Sequence, residues 1–282
     1  MTDEVIFIVG GLGKTGRRVL RRLAARGIAA RAVSRGTSPR FDWTDRASWE
    51  PALAGATTAY VTYQPDLAVP RAADDVAAFA AAAAAAGVRH AVLLSGRGED
   101  GAVASEARLR AAPIEHTVLR AAWFAENFSE GGFRDGILAG ELALPAGAVC
   151  EPFVSADDIA DAAVAALTDP AHRNRTYELT GPRLLSFADA VAEVAAATGR
   201  PVAYRTVPVA DFLDGLRAEG FDDGMLWLMR DLFANTLDGR NASVADDLPR
   251  LLGRPARDLA EVVAEAARAG AWRVPAEAEG QG

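Results

Sequence analysis

The chain has 282 residues, 50% of them hydrophobic and 24% charged, with a formal net charge of -8; at this size about 75% of the unfolded chain's surface can be buried without a disulfide or metal staple. Its one cysteine, Cys150, allows no intramolecular disulfide framework and argues against a structural zinc cluster, so no metal and a cytoplasmic location are expected. The acidic balance without a Lys/Arg tract argues against nucleic acid as main partner, and the longest apolar stretch, 76–86, falls short of the roughly 18 residues that a membrane span requires.

The opening MTDEVIFIVG carries Asp3 and Glu4 where a secretory signal has a basic region, so the reading is of a strand and not a targeting segment. Strands are then expected at 5–9, 29–33, 59–63, 90–94 and 115–119, with a weaker one at 40–42, and helices between them at 15–25, 47–53, 72–86 and 104–111. Short β-rich runs alternating with amphipathic helices predict α/β architecture: a doubly wound parallel, Rossmann-like sheet. The alanine run 80–86 reads as a helix that lies close to the sheet.

Beyond residue 119 the rhythm breaks, with a short helix at 133–138. It resumes with a helix at 157–168, capped by Ser155 or Asp157, and a strand at 176–179. A helix at 187–198 capped by Ser186, a strand at 202–206 and helices at 210–219, 225–237, 244–252 and 257–269 follow. Residues 1–150 are thus expected to form the main sheet domain, 151–180 a returning segment of it, 181–275 a smaller, mostly helical C-terminal lobe, and 276–282 a frayed tail.

The strongest chemical signal is IFIVGGLGKTGRRVLRRL, where a strand passes through Gly10, Gly11, Gly13 and Gly16 into a helix. Glycines allow a tight turn and close backbone approach to a pyrophosphate, whose charge the helix N-terminus stabilises. Two registers overlap, Gly11-x-Gly13-x-x-Gly16 and Gly10-x-x-Gly13-x-x-Gly16, and spacing does not choose between them. Lys14 and Thr15 belong to the same loop. An NAD site places a carboxylate at the end of the second strand; this chain has RAVSRG there, so Ser34 and Arg35 are read as partners of a 2′-phosphate and the expected cofactor is NADPH. Asp42 and Trp43 are read either as neighbours of the adenine or as a capping Asp and a core Trp.

Carbonyl reduction on this framework commonly uses a Tyr-x-x-x-Lys pair, in which lysine lowers the tyrosine pKa. None of Tyr60, Tyr63, Tyr177 and Tyr204 has lysine four residues later, because Lys14 is the only lysine. Acceptors that tolerate the loss, such as quinones and iminium ions, are therefore favoured. Ser95, Thr62 and Tyr63 fall at the carboxyl edge of the sheet, where ligands of such sheets bind. Ser95 is a hydroxyl candidate near nicotinamide or substrate, and Tyr63 is either a replacement acid or a ring wall. His90, His116 and His172 lack metal spacing and read as structural or exposed; the pairs Asp74–Asp75 and Asp157–Asp158 read as carboxylates at helix starts.

These residues resemble the NmrA-like branch of atypical short-chain dehydrogenases, near type-2 quinone oxidoreductases and ergot-alkaloid iminium reductases. The likeness lies in GGLGKTGRRVL, AVSRG, FDWTD, YVTYQPD, VLLSGRG, HTVLRAAWFAENFSE, PFVSADDIADAA and RTYELTGP. It implies that Gly10, Gly13 and Gly16 bind pyrophosphate, that Arg35 holds the 2′-phosphate, and that Asn127 lies near nicotinamide. Many members carry a lysine one turn before the residue matching Glu106; here that region reads GAVASE. The expected function is an NADPH-dependent oxidoreductase acting on a small conjugated acceptor such as a quinone, cyclic iminium or enone, with Tyr63, Ser95 and Asn127 orienting it. The alternatives are a non-catalytic NADP-sensing regulator or a non-redox lyase or isomerase. A monomer or homodimer with a small-molecule substrate is expected.

Overall fold

The computed structural model describes residues 5–273, so the expected frayed tail lies outside the described residues. In chain order the first half comprises β1 (Val5–Val9), α1 (Gly16–Ala25), β2 (Ala30–Val33), a 3-10 turn and α2 (Trp49–Leu53), β3 (Ala56–Val61), α3 (Ala72–Ala85), β4 (His90–Gly96), α4 (Asp100–Arg110) and β5 (Glu115–Ala121). There follow α5 (Asn127–Glu130), α6 (Phe133–Ala139), β6 (Glu141–Leu144), β7 (Cys150–Glu151), α7 (Ala156–Thr168), β8 (Arg175–Leu179), β9 (Leu185–Ser186), α8 (Phe187–Thr198) and β10 (Ala203–Thr206). The chain closes with α9 (Val209–Ala218), α10 (Asp223–Asp231), α11 (Asp247–Leu252) and α12 (Leu259–Arg268). Among the described residues no helix is long and apolar enough to cross a membrane.

Six strands form one parallel sheet in the order β2-β1-β3-β4-β5-β8, the Rossmann-like arrangement expected from the alternation. Period-two alternation sends successive side chains to opposite faces. Phe7 and Val9 of β1, Ala59 and Val61 of β3 and Leu93 of β4 join α2 and α3 in one core. Ile6, Ile8, Tyr60 and Val92 join α1 and α7 in another. A third cluster, built on Phe128, Phe153, Phe187, Phe233 and Trp272, joins the segment after β5 to α8 and α12. Burial on both faces explains why the strands read as nearly continuous apolar runs.

Several expectations are corrected. Residues 40–42 form no strand; Asp42 makes a single bridge with Asp45. Phe41 and Trp43 instead leave the sheet plane for an aromatic cluster, with ring centroids 5.2 Å apart and Trp43 at 5.2 Å from Phe79. The helix expected to start at 104 starts at Asp100, with Glu99 at its N-cap position. Gly101 lies inside this helix because the helix passes against the preceding loop: a Cβ there would sit 2.6 Å from the Ala68 carbonyl oxygen. The helix expected over 225–237 changes to a π turn at Leu232–Thr236.

Ser155 caps α7, accepting from the Asp157 amide. Asp157 and Asp158 do more than favour the helix dipole. Asp157 binds Arg18 at 3.1 Å and Arg22 at 2.7 Å, joining α7 to α1, and Asp158 is fully buried on Arg254 at 2.7 Å. Asp75 is likewise a tertiary contact, described below.

Candidate functional site

The sheet reverses direction of winding between β1 and β3, since β2 lies on one side of β1 and β3 on the other. Ligands of open α/β sheets bind outside the strand carboxyl ends at such a switch point. A cleft of about 320 Å³ occupies this position, lined by residues just past β1, β3, β4 and β5. Of the sequence candidates it brings together Gly10, Gly13, Lys14, Thr15, Thr62, Tyr63, Ser95 and Asn127.

The glycine loop has a steric cause. Gly10 has φ +71°, and a Cβ on it would lie 2.2 Å from Thr62 Oγ1. At Gly16 a Cβ would lie 2.3 Å from the Gly10 carbonyl oxygen, so the first turn of α1 rests directly on the loop backbone. Gly13 donates its amide to that carbonyl at 2.8 Å, closing the turn. Gly11 answers to a different contact, the approach of the loop to β2, where a Cβ on Gly11 would lie 2.6 Å from the Ala32 Cβ. Glycines of both overlapping registers are therefore required, for separate reasons.

Ser34 and Arg35 lie past β2, outside the cleft lining. Ser34 shapes its turn: its amide donates to Thr37 Oγ1 at 2.8 Å. Arg35 is exposed, and among the described residues no hydrogen bond or ion pair holds its guanidinium. Asp42 and Trp43 lie outside the cleft lining. Asp42 Oδ1 accepts the Thr44 amide and hydroxyl at 2.9 and 2.8 Å, bonds that hold its carboxyl below the usual range with help from Arg40 and Arg35. Trp43 is buried, its indole donating to the Thr62 carbonyl at 3.0 Å, because its large apolar face is satisfied by the core under β3.

Hydroxyls in and around the cleft are mostly committed. Tyr63 donates to Asp75 Oδ2 at 2.7 Å, where Arg71 also binds at 2.8 Å, and burial pushes the phenol well above its ordinary pKa. Its ring remains in the cleft wall while its proton faces a buried carboxylate. Ser95 is buried and donates to Glu106 at 2.8 Å; Glu106 is in turn held by Arg120 at 2.6 Å and Arg110 at 2.9 Å. Thr62 donates to the Val9 carbonyl at 3.0 Å, and Thr15 Oγ1 accepts from Tyr60 at 3.0 Å. The three histidines stay away from the cleft; His90 pairs with Thr117 and His172 with Tyr177.

Asn127, the first residue of α5, accepts a 2.6 Å bond from Lys14 Nζ. Burial pulls the Lys14 ammonium down while Glu126 and Glu130 oppose the shift. Glu126 and Glu130 are themselves engaged, Glu126 with the α7 N-terminus at 2.7 Å and Glu130 with Arg17 and Arg18. The single lysine thus stands in the cleft as its one ammonium group.

Among the lining residues that sequence reasoning missed are two carboxylates, Asp66 and Glu99. Asp66 follows β3 and accepts the Ala68 amide at 2.8 Å; Glu99 precedes α4. Burial raises the Asp66 carboxyl, and burial with repulsion from Asp66 pushes the Glu99 carboxyl well above its ordinary range. Their positions past the carboxyl ends of β3 and β4 were the available signal, since that edge is where ligands bind.

A family model described as the NmrA-like family matches residues 2–238. An NAD(P)H azoreductase from Xenophilus azovorans is 30% identical, with 91% of this chain and 96% of that protein covered. Among solved structures, an NADPH-dependent quinone oxidoreductase from Escherichia coli, complexed with NADPH, superposes with TM-score 0.73 at 24% identity over 92% of this chain and 99% of that one. A triphenylmethane reductase from Citrobacter sp., complexed with NADP(H), gives 0.73 at 21% identity over 93% and 99%.

Proposed function

The chain belongs to the NmrA-like family, and from that premise we propose that it is an NADPH-dependent reductase that delivers hydride to a small conjugated acceptor, with quinones, azo compounds and cyclic iminium ions or enones ahead of simple ketones. The observation that carries this reading is the cradle at the switch point: two loop positions, 10 and 16, at which any Cβ would collide with neighbouring atoms, beside the chain's one lysine. Such a cradle fits a pyrophosphate that the backbone must approach closely. The names of the relatives support the same chemistry, since they are reductases of azo compounds, quinones and triphenylmethanes using NAD(P)H or NADPH.

In this reading Gly10, Gly13 and the N-terminus of α1 hold the pyrophosphate, and Lys14 adds positive charge there. Arg35 is free to pair with the 2′-phosphate and Ser34 to donate to it, which favours NADPH over NADH. When bound, the cofactor supplies hydride. Asn127 orients the reacting groups, Ser95 braces the floor of the cleft through Glu106, and Tyr63 and Trp123 wall it with aromatic surface. Flat conjugated acceptors suit a wall of that kind.

The decisive assay follows the loss of reduced-nicotinamide absorbance with purified protein, NADPH and, in turn, a naphthoquinone, an azo dye and a cyclic iminium. Acceptor-dependent oxidation is expected with at least one class. Its absence across all three removes the proposal.

A further inference from the structure

Hydride alone completes the reduction of a carbocation, whereas a quinone or azo bond also takes up a proton. The hydroxyls of Thr62, Tyr63 and Ser95 are donated inward to Val9, Asp75 and Glu106. We propose that the carboxyl pair Asp66–Glu99 is the proton donor of the cleft, with Glu99 as the residue that hands over the proton. This rests on the reductase reading above.

The geometry is specific. Both residues line the same cleft as Lys14, Ser95 and Asn127. Glu99 occupies the N-cap position of α4 but makes no side-chain cap bond. Its carboxyl instead folds over Gly96, where a Cβ would lie 2.1 Å from the carboxyl carbon and both oxygens, so this pose depends on a glycine at position 96. Glu99 Oε2 is sealed from solvent and finds no hydrogen-bond partner among the described residues. An ionised oxygen left so would be costly, whereas a protonated carboxyl can donate to a neighbouring carboxylate.

The surrounding charges favour retention of that proton. Asp231, at the end of α10, adds a third negative charge near the pair. Nearby cations are engaged elsewhere: Arg97 binds Glu178 at 2.8 Å and the carbonyls of Asn241 and Ser243, while Arg240 binds Asp238 at 2.8 Å and reaches Asp100 at 3.6 Å. Lys14, the remaining ammonium of the cleft, is bonded to Asn127. Two carboxyls in this setting share one proton at rest, because ionising the second beside the first is costly.

The acceptor receives hydride, with its electron pair, at one atom and the proton at the other. The Glu99 O–H bond breaks and leaves its electron pair on the carboxylate, so the pair passes from monoanion to dianion. NADPH is oxidised to NADP+, the acceptor is reduced by two electrons, and water at the cleft mouth returns the proton.

The test compares two acceptors on the NADP-bound and turning-over protein: a naphthoquinone, whose hydroquinone anion takes up a proton, and a triphenylmethyl cation dye, whose reduction takes up none. Glu99→Gln should lower the ratio of quinone rate to dye rate by about a hundredfold, the usual scale of general-acid catalysis. Infrared spectra of the complex at neutral pH should contain a protonated-carboxyl stretch that Glu99→Gln removes. Quinone turnover by the wild type should fall at alkaline pH while dye reduction stays flat. Asp66→Asn should lower the same ratio; the spectra are taken in a Glu151→Gln background, which removes the band of that second protonated carboxyl, and the pH profiles of the wild type decide the matter even if the Glu99 and Asp66 variants fold poorly. Equal loss with both acceptors, or selective loss of the cationic dye, overturns the proposal, the latter marking the pair as a counter-ion. Absence of the protonated-carboxyl stretch overturns it as well. If the wild type reduces neither acceptor, the reductase reading fails, and the infrared result still reports separately on the shared proton.

Discussion

Lys14 Nζ donates to Asn127 Oδ1 at 2.6 Å, joining the glycine loop to the first residue of α5 across 113 positions of sequence. The ammonium also stands 5.7 Å from the centroid of the Phe124 ring. One contact therefore couples the segment that would hold the pyrophosphate to the segment that would face the nicotinamide. Lys14→Met should weaken NADPH binding by roughly 30-fold, the equivalent of about 2 kcal/mol for a lost charge-assisted bond. Asn127→Ala, which keeps the ammonium, should change binding much less and lower kcat about tenfold. Nucleotide titration beside steady-state kinetics separates the two. Equal losses of affinity in both variants would place Asn127 in cofactor binding alone.

Arg35 is exposed and no hydrogen bond or ion pair holds it among the described residues, so replacing it disturbs little of the fold. Arg35→Glu should raise the Kd for NADPH about a hundredfold, close to 3 kcal/mol for a lost charge-assisted pair with added repulsion. NADH, which has no 2′-phosphate, should bind as well as before or better. Parallel losses for both nucleotides would show that Arg35 does not read the phosphate.

Tyr63 carries its hydroxyl on Asp75, which also holds Arg71 at 2.8 Å and Arg46 at 3.3 Å. Tyr63→Phe keeps the ring in the wall and removes one buried hydrogen bond. Denaturant melts should report a loss of about 1 to 2 kcal/mol in stability, with kcat within about twofold of wild type because acid catalysis is not at stake. A collapse of turnover with unchanged stability would restore Tyr63 as the acid.

Glu151 is wholly buried in β7 and neither carboxyl oxygen has a hydrogen-bond partner among the described residues. Burial pushes its carboxyl up to about 7 from an ordinary 4.5, against a small pull from Arg97. The folded state therefore keeps a proton that the unfolded chain gives up. That contribution is fully present below the unfolded value and is lost as pH rises through the folded one, a change of roughly 3 kcal/mol. Glu151→Gln removes the titration. Its stability relative to wild type should improve by about that amount between about pH 4.5 and pH 8, read from denaturant unfolding at each pH. A difference independent of pH would mean that Glu151 ionises without penalty.

Much of the sheet is legible along the chain because its causes are local or periodic. Val5–Val9 and the helix after it follow from an apolar run, a glycine turn and an amphipathic repeat. The cap at Ser186 is local too, a reciprocal bond with Asp189 three residues on. Trp43 and Asp75 are different. In sequence Trp43 reads as an adenine neighbour or a core Trp and Asp75 as a helix-start carboxylate; packing puts Trp43 4.8 Å from the Tyr63 ring and Asp75 under that residue's hydroxyl. Neither contact has a local signature, since each depends on where α3 settles on the sheet.

The cleft divides in the same way. Gly10 and Gly16 are dictated by backbone sterics within one turn, so the motif predicts them, and the absence of a lysine four residues after each tyrosine is plain in the letters of the chain. The meeting of Asp66 with Glu99, and the choice of Lys14 for Asn127, depend on parallel strands bringing separate loops to one edge. The change in those groups' proton affinity depends on burial and on charges from remote helices, quantities that have no value until the chain is folded.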